Sequence, residues 1–235
     1  MKILAFESSA TAASVALCEG ETLLAQNFQN TGLTHSQTLL PMAEALLSGC
    51  GLRLEDVELL GVSAGPGSFT GLRIGVAALK GLAWAKDLPC AACSTLASMA
   101  WNAVGLTGEI CAVMDARREQ VYNARFRSDG EGVTRLCPDR AISLEEVAKE
   151  LREAGGTPWL VGDGAQLLSD YLLQEGIPCR LAPPNLRLQS AWGVARLSLE
   201  QWKKGETTKG ALLVPNYLRL SQAERERLER EQGQE

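Results

Sequence analysis

Histidine is almost missing from this sequence: His35 is the only one among 235 residues. A metal centre built on several imidazoles is thereby excluded, and any Ser-His-acid machinery would have to use His35. Basic blocks are missing too, since none is longer than Arg117-Arg118 or Lys203-Lys204 and the formal net charge is -5. Such a chain does not hold RNA or DNA by itself, so any nucleic acid would be reached only through a partner's charge. No apolar run approaches the roughly 20 residues that span a bilayer, and the opening "MKILAFESSA" breaks on Glu7 too early for a signal peptide. The expectation is a cytoplasmic protein with no membrane partner. Cysteines number seven, an odd count, and sit mostly in apolar runs, as small core residues do in a reducing compartment. Cys90 and Cys93 form a CxxC, but with no second pair and His35 far upstream a tetrahedral zinc site lacks ligands.

With 46% apolar and 22% charged residues, the chain is an ordinary globular one, large enough for one domain or two lobes. "KILAFESS", "ATAASVALCEG" and "ETLLAQNFQ" read as three antiparallel strands, the second beginning at about Ala13. "THSQTLLPMAEALLSGCG" carries Leu39, Met42, Ala43, Leu46 and Leu47 at helical spacing, with Ser36 as cap and Gly49 or Gly51 as stop. "DVELLGVSAG" is a buried strand, "GPGSFTG" a turn, and Thr70 to Ala85 a helix apolar nearly all round. "CAACSTLASMAWNAVG" adds a short strand and a helix capped by Ser94 or Thr95, which places a lobe boundary near Gly105 to Gly108. "EICAVMDARREQVYNARFRSDGEGVTRL" then repeats the opening plan of strand, acid, turn and two strands. "SLEEVAKELREAGG" is a helix with Ser143 and Glu146 as a capping box, "PWLVGDGAQLLSDYLLQEG" a strand, turn and helix, and "QSAWGVARLSLEQWKKG" a further helix. The lobes so expected are residues 1–105 and 106–220, followed by a solvated charged tail at 221–235.

Aligning the halves by their acids sets Glu7 and Val15 against Asp115 and Val121. An acid at a strand end followed by a hairpin turn, used twice across a cleft, is how a duplicated α/β fold of the actin and sugar-kinase type surrounds a nucleotide phosphate. Turn N-H groups hold oxyanions, and the acids hold Mg²⁺ through water. "GPGSFTGLRIG" from Gly65, "MDARREQVY" from Met114, "GDGA" from Gly162 and "VPNYLR" from Val214 resemble, in order and spacing, the TsaB family, formerly YeaZ. The resemblance covers the chain up to about Arg219. It implies a two-lobed actin-like (ribonuclease H-like) fold, each lobe a mixed sheet opening with antiparallel strands and flanked by helices. It implies a bacterial accessory subunit for making N6-threonylcarbamoyladenosine beside the tRNA anticodon, in a heterodimer with the transferase TsaD and with the ATPase TsaE, or paired with itself when TsaD is absent. Enzymes like TsaD hold a metal on a helical HxxxH; this chain has only His35, so no catalytic residue and no metal are expected. A vestigial nucleotide cleft would comprise Glu7, Ser8, Ser9, Asp115, Gly162 and Gly164, and the resemblance leaves room for ADP or ATP with Mg²⁺ at the TsaD junction without requiring either. The family usually has Asp where Glu7 stands, and the extra methylene would displace a carboxylate-held Mg²⁺ water; "GDGA" is thin for an adenosine-binding loop.

Two enzyme readings compete. A nucleotide-dependent kinase is suggested by the duplicated hairpins. A serine hydrolase is suggested by "GVSAG" from Gly61 to Gly65, which fits G-x-S-x-G around Ser63, although His35 lies upstream of Ser63 rather than after an acid downstream. A Walker A loop fails, because Gly65 and Gly71 are six apart and Leu72 stands where Lys is needed. Gly71, Gly75 and Ala78 make a flat stripe on a helix that also carries Ile74 and Leu82; with Leu39, Met42, Ala43 and Leu46 its residues read equally as a helical docking face or as the inner layer of this chain's own sheet, and the resemblance to TsaB implies the docking face, with TsaD as its partner.

Overall fold

The computed structural model describes residues 1–117 and 119–219; the charged segment at 221–235 lies outside the described residues. The expected opening meander is β1 (Lys2–Glu7), β2 (Ala13–Glu19) and β3 (Thr22–Gln29). Helix α1 (His35–Gly49) leads to β4 (Leu59–Gly65), parallel to β1, and α2 (Phe69–Trp84) leads to β5 (Pro89–Ser94), parallel to β4. After α3 (Thr95–Asn102) the pattern recurs: β6 (Gly108–Asp115), β7 (Gln120–Ser128), β8 (Val133–Arg135) and β9 (Arg140–Ser143) are antiparallel neighbours. Then α4 (Leu144–Ala154) gives β10 (Trp159–Val161), parallel to β6, and α5 (Ala165–Gln174) gives β11 (Arg180–Leu181), parallel to β10. The short α6 (Pro184–Arg187), α7 (Ala191–Lys203) and β12 (Thr208–Lys209) close the described chain.

Strand order is β12-β5-β4-β1-β2-β3 in one sheet and β11-β10-β6-β7-β8 in the other, with β9 beside β7. The shared core of the two orders, a hairpin flanked by two parallel strands, is the duplication read from the acids. Register shifts the detail by one residue: Ser14, not Val15, faces Glu7, while Val121 faces Asp115.

The largely apolar character of β1 and β4 follows from cover on both faces. On one face, Leu39, Met42, Ala43, Leu46 and Leu47 of α1 join Val76, Leu79 and Ala83 of α2 over Leu4, Phe6, Val15, Leu17, Leu60 and Val62. On the other, Ala191, Val194, Ala195 and Leu199 of α7 pack on Ile3, Ala5, Ala16, Leu59 and Ala91. The proposed cut at residue 105 is therefore not how the sheets divide the chain. Helix α3 buries Leu96, Met99 and Ala100 in the second sheet's core, whereas α7 and β12 return to the first sheet. Capping differs at one helix: α1 starts at His35 after Thr34 with no side-chain cap, so Ser36 is not its cap. Ser94 caps α3 and the Ser143–Glu146 box is formed.

The lobes are pinned where α3 crosses α7. A Cβ on Gly193 would stand 2.0 Å from the Ser98 carbonyl oxygen. Asn102 stitches the crossing, its Oδ1 accepting from Gly193 N at 2.8 Å and its Nδ2 donating to Ser190 O at 3.3 Å. Gly193→Ala has no room to relax against backbone, and should lower stability by about 3 kcal/mol or more in urea titrations followed by far-UV circular dichroism.

Candidate functional site

Between the lobes lies a cleft of about 690 Å³, lined by Ser9, Ala10 and Thr11 of the β1–β2 turn, Gly67 to Thr70 at the start of α2, Asp115 to Arg117 of the β6–β7 turn, Asp163 after β10, and Arg219. Both hairpin turns and both strand-to-helix turns thus converge, as the repeated motif implied.

The first hairpin's acid does not face this cleft. Glu7 is fully buried; its Oε1 accepts the Ser9 N-H at 2.6 Å and its Oε2 accepts the Ser63 hydroxyl in a short bond. Burial pushes its carboxyl above the usual range against the pull of those bonds. Ser8 and Ser9 are also buried, and Ser9 O accepts from Ser68 N at 2.7 Å, so the turn is bonded inward. Asp115 and Asp163 do line the cleft, Asp115 Oδ1 accepting from Arg117 N at 2.6 Å. Asp163, which accepts from Gln189, is pushed up by desolvation first and by the neighbouring Asp115 charge next. Gly162 and Gly164 serve close packing: a Cβ on the first would stand 2.0 Å from Val113 O, and on the second 2.9 Å from Asp115 N. A Mg²⁺-nucleotide fits this arrangement poorly on the first-lobe side, since Glu7 offers no oxygen to a metal-bound water and the Ser9 N-H is taken.

Sequence reasoning passed over Asp163, Thr11, Arg117 and Arg219. Asp163 left a signal, since it is a third acid at a strand end, hidden between the two glycines of "GDGA". Arg219 left none, because its place depends on how the chain returns from the second lobe.

The hydrolase elbow is also corrected. "GVSAG" lies within β4 itself, and Ser63 is fully buried with its hydroxyl donated to Glu7. His35 is engaged elsewhere, its Nε2 2.7 Å from Ala10 O. Cys90 and Cys93 point to opposite faces of β5, one into each apolar core, as residues three apart on a strand must. Burial pushes their thiols up to about 11 and about 12, the packed state expected of them.

The expected docking stripe divides. Leu39, Met42, Ala43 and Leu46 are buried against the first sheet and present nothing outward. Gly71 and Gly75 are buried as well, because their bare faces meet the β1–β2 turn: a Cβ on Gly71 would be 2.0 Å from Ser8 O, and on Gly75 2.4 Å from Ser8 Oγ. Ile74, Ala78 and Leu82 are half-buried. What faces outward is Leu40, Pro41 and Ala45 of α1 with Ala77, Gly81 and Trp84 of α2, Trp84 being 86% exposed.

The sequence profile described as TsaD, tRNA N6-adenosine threonylcarbamoyltransferase, matches residues 29–169. The tRNA threonylcarbamoyladenosine biosynthesis protein TsaB of Bacillus subtilis (strain 168) is 32% identical over 95% of this chain and 96% of its own length. The chain belongs to the TsaB family. The TsaB protein of Escherichia coli (strain K12) is 33% identical over 93% of this chain and 95% of its own. A solved structure, YeaZ from Pseudomonas aeruginosa, superimposes with a TM-score of 0.78 at 28% identity, covering 92% of this chain and 99% of that one. The TsaB fold is thus the two-lobed actin-like one expected here.

Two outcomes test this anatomy. Gly71→Ala should cost about 3 kcal/mol, whereas Gly81→Ala, with open space around its Cβ position, should be neutral or stabilise by up to about 1 kcal/mol; urea midpoints of the two variants decide it. For Glu7, the folded-state carboxyl titrates above its unfolded value, so the native chain holds a proton that the unfolded chain releases. Its contribution is present below the ordinary carboxylate range and is lost as pH rises through the raised value. Glu7→Gln keeps both bonds, with Ser63 now accepting. It should match the parent in acid and exceed it at neutral pH when midpoints are compared from pH 4 to 8.

Proposed function

We propose that this TsaB-family chain is an accessory subunit for threonylcarbamoyladenosine formation on tRNA, without catalytic residues of its own, acting in the cytoplasm with a TsaD-type transferase and a TsaE-type ATPase. The observation that carries it is likeness over nearly the whole chain to proteins named for tRNA threonylcarbamoyladenosine biosynthesis. The chemistry of the site supports the accessory role. Its candidate nucleophile is buried within β4, its one imidazole is bound to a backbone carbonyl, and the acid of its first hairpin is spent inside the lobe. No helix among the described residues is long and apolar enough to cross a membrane, which suits a partner that meets tRNA in solution.

The docking face in this reading is the outer side of α1 and α2. Ile74, Ala78 and Leu82 from the original stripe are joined there by Leu40, Ala45, Ala77 and Trp84. Small residues between apolar ones let a partner helix come close. In a host depleted of its own TsaB, this chain should restore threonylcarbamoyladenosine measured by nucleoside mass spectrometry, and failure to do so overturns the reading. Ala77→Glu places a charge in the docking face but not in the core. It should keep the parent's melting temperature and lose co-purification with TsaD by tenfold or more, on the order of the penalty for an unpaired interfacial charge.

A further inference from the structure

Of the "VPNYLR" stretch only Arg219 has entered the cleft described so far, yet the whole stretch runs from one lobe to the other. Leu213 is buried in the first core. Asn216 N then donates to Ala64 O at 2.7 Å, and only a glycine at position 65 allows that approach: φ is +134°, and a Cβ there would stand 2.2 Å from Asn216 O. Tyr217 stacks on Phe69 with 4.3 Å between ring centroids, and its hydroxyl accepts from Arg73 Nε at 3.0 Å. Beyond Tyr217 the chain changes lobes. Leu218 packs on the second core, and Arg219 Nη1 donates to Ala116 O at 2.6 Å on the β6–β7 turn.

Phe69, Ala116 and Arg219 all line the cleft, so the crossing runs along it. The lobes are also joined where α3 meets α7 at Gly193, and no residue of either helix is in the cleft lining. Two bodies joined away from the cleft can still vary the gap across it, and what spans that gap sets it. We propose that Val214–Arg219 is a latch: it is fastened to the first lobe by a backbone bond and a ring stack, and it holds the second lobe chiefly through the Arg219 guanidinium on a turn carbonyl, so that releasing it widens the cleft and admits ligands to it.

The two ends of a latch must give one phenotype, which separates it from local packing. In the full-length chain, spin labels introduced through unnatural amino acids at exposed Glu44 of α1 and Glu153 of α4 report the distance between lobes. Arg219→Ala cuts the second-lobe end and Tyr217→Ala the first-lobe end. Both should lengthen and broaden the distance distribution. Both should also speed hydrogen exchange of the Gly67–Thr70 amides by roughly tenfold or more, in keeping with loss of one charge-assisted bond, although the bonds of Tyr217 and Arg219 go to Arg73 and Ala116 and not to those amides. The parent distribution and exchange rates in both variants would overturn the proposal, as would disturbance limited to whichever turn lost its contact. Should either alanine variant fail to fold, Arg219→Lys, which loses the planar fork, and Tyr217→Leu, which loses the ring stack but keeps apolar cover, are read by the same two criteria.

Discussion

Everything on the first-lobe side of the cleft depends on how closely α2 lies against the β1–β2 turn. Gly67 just before this helix and Gly71 and Gly75 on its first turns are spaced four apart, and at each the space for a Cβ is held by an atom of Ser8 or Ser9. The Ser8 hydroxyl completes the contact by donating to Gly71 O at 2.9 Å. With the helix that near, water is excluded from the end of β1, and Glu7 must find its partners inside. It does so in Ser9 N-H and Ser63, and burial rather than a neighbouring charge then governs its proton.

The second lobe uses the same device with a different result. Gly162 and Gly164 bring the β10–α5 turn onto Val113 and Asp115 as the α2 glycines bring their helix onto Ser8 and Ser9. Yet Asp115 is exposed, while Glu7, its counterpart in the duplication, is not. A longer side chain reaches across to β4 and finds a serine hydroxyl there; a shorter one bonds its own turn through Arg117 N. The cleft consequently has one wall of inward-bonded turn and one wall lined by the Asp115 and Asp163 carboxyls together with Arg117 and Arg219. That asymmetry is what makes a symmetric clamp on a phosphate hard to build from these residues.

Periodicity and turn chemistry made much of this legible. The meander, the strand into α2, the Ser143–Glu146 box and the repeat of hairpins all rest on contacts within a few residues, which a sequence displays. Three features do not. Gly71 and Gly75 announce a close approach but not to what, since a helix of a partner and a turn of the same lobe ask for the same missing Cβ. Leu39, Met42, Ala43 and Leu46 are apolar at helical spacing whether they face a sheet or a subunit. Helix α7 reads as any amphipathic helix, and its return to the first sheet depends on β1 and β4 needing cover on their second face, a demand made nearly two hundred residues earlier in the chain.

Because α2 is engaged on three sides, its residues sort by direction. Inward it gives Val76, Leu79 and Ala83 to the sheet; toward the β1–β2 turn it gives bare glycine to Ser8; along its flank Lys80 donates to Ala211 O and Arg73 holds Tyr217. Only the remaining side, with Ala77, Gly81 and Trp84, is open. On the docking reading, a partner seated there lies beside Arg73 and hence beside the segment that crosses the cleft. An element so fully used on three sides cannot shift to accommodate chemistry in the cleft without disturbing the fourth. That rigidity suits a surface whose work is to hold another protein in place.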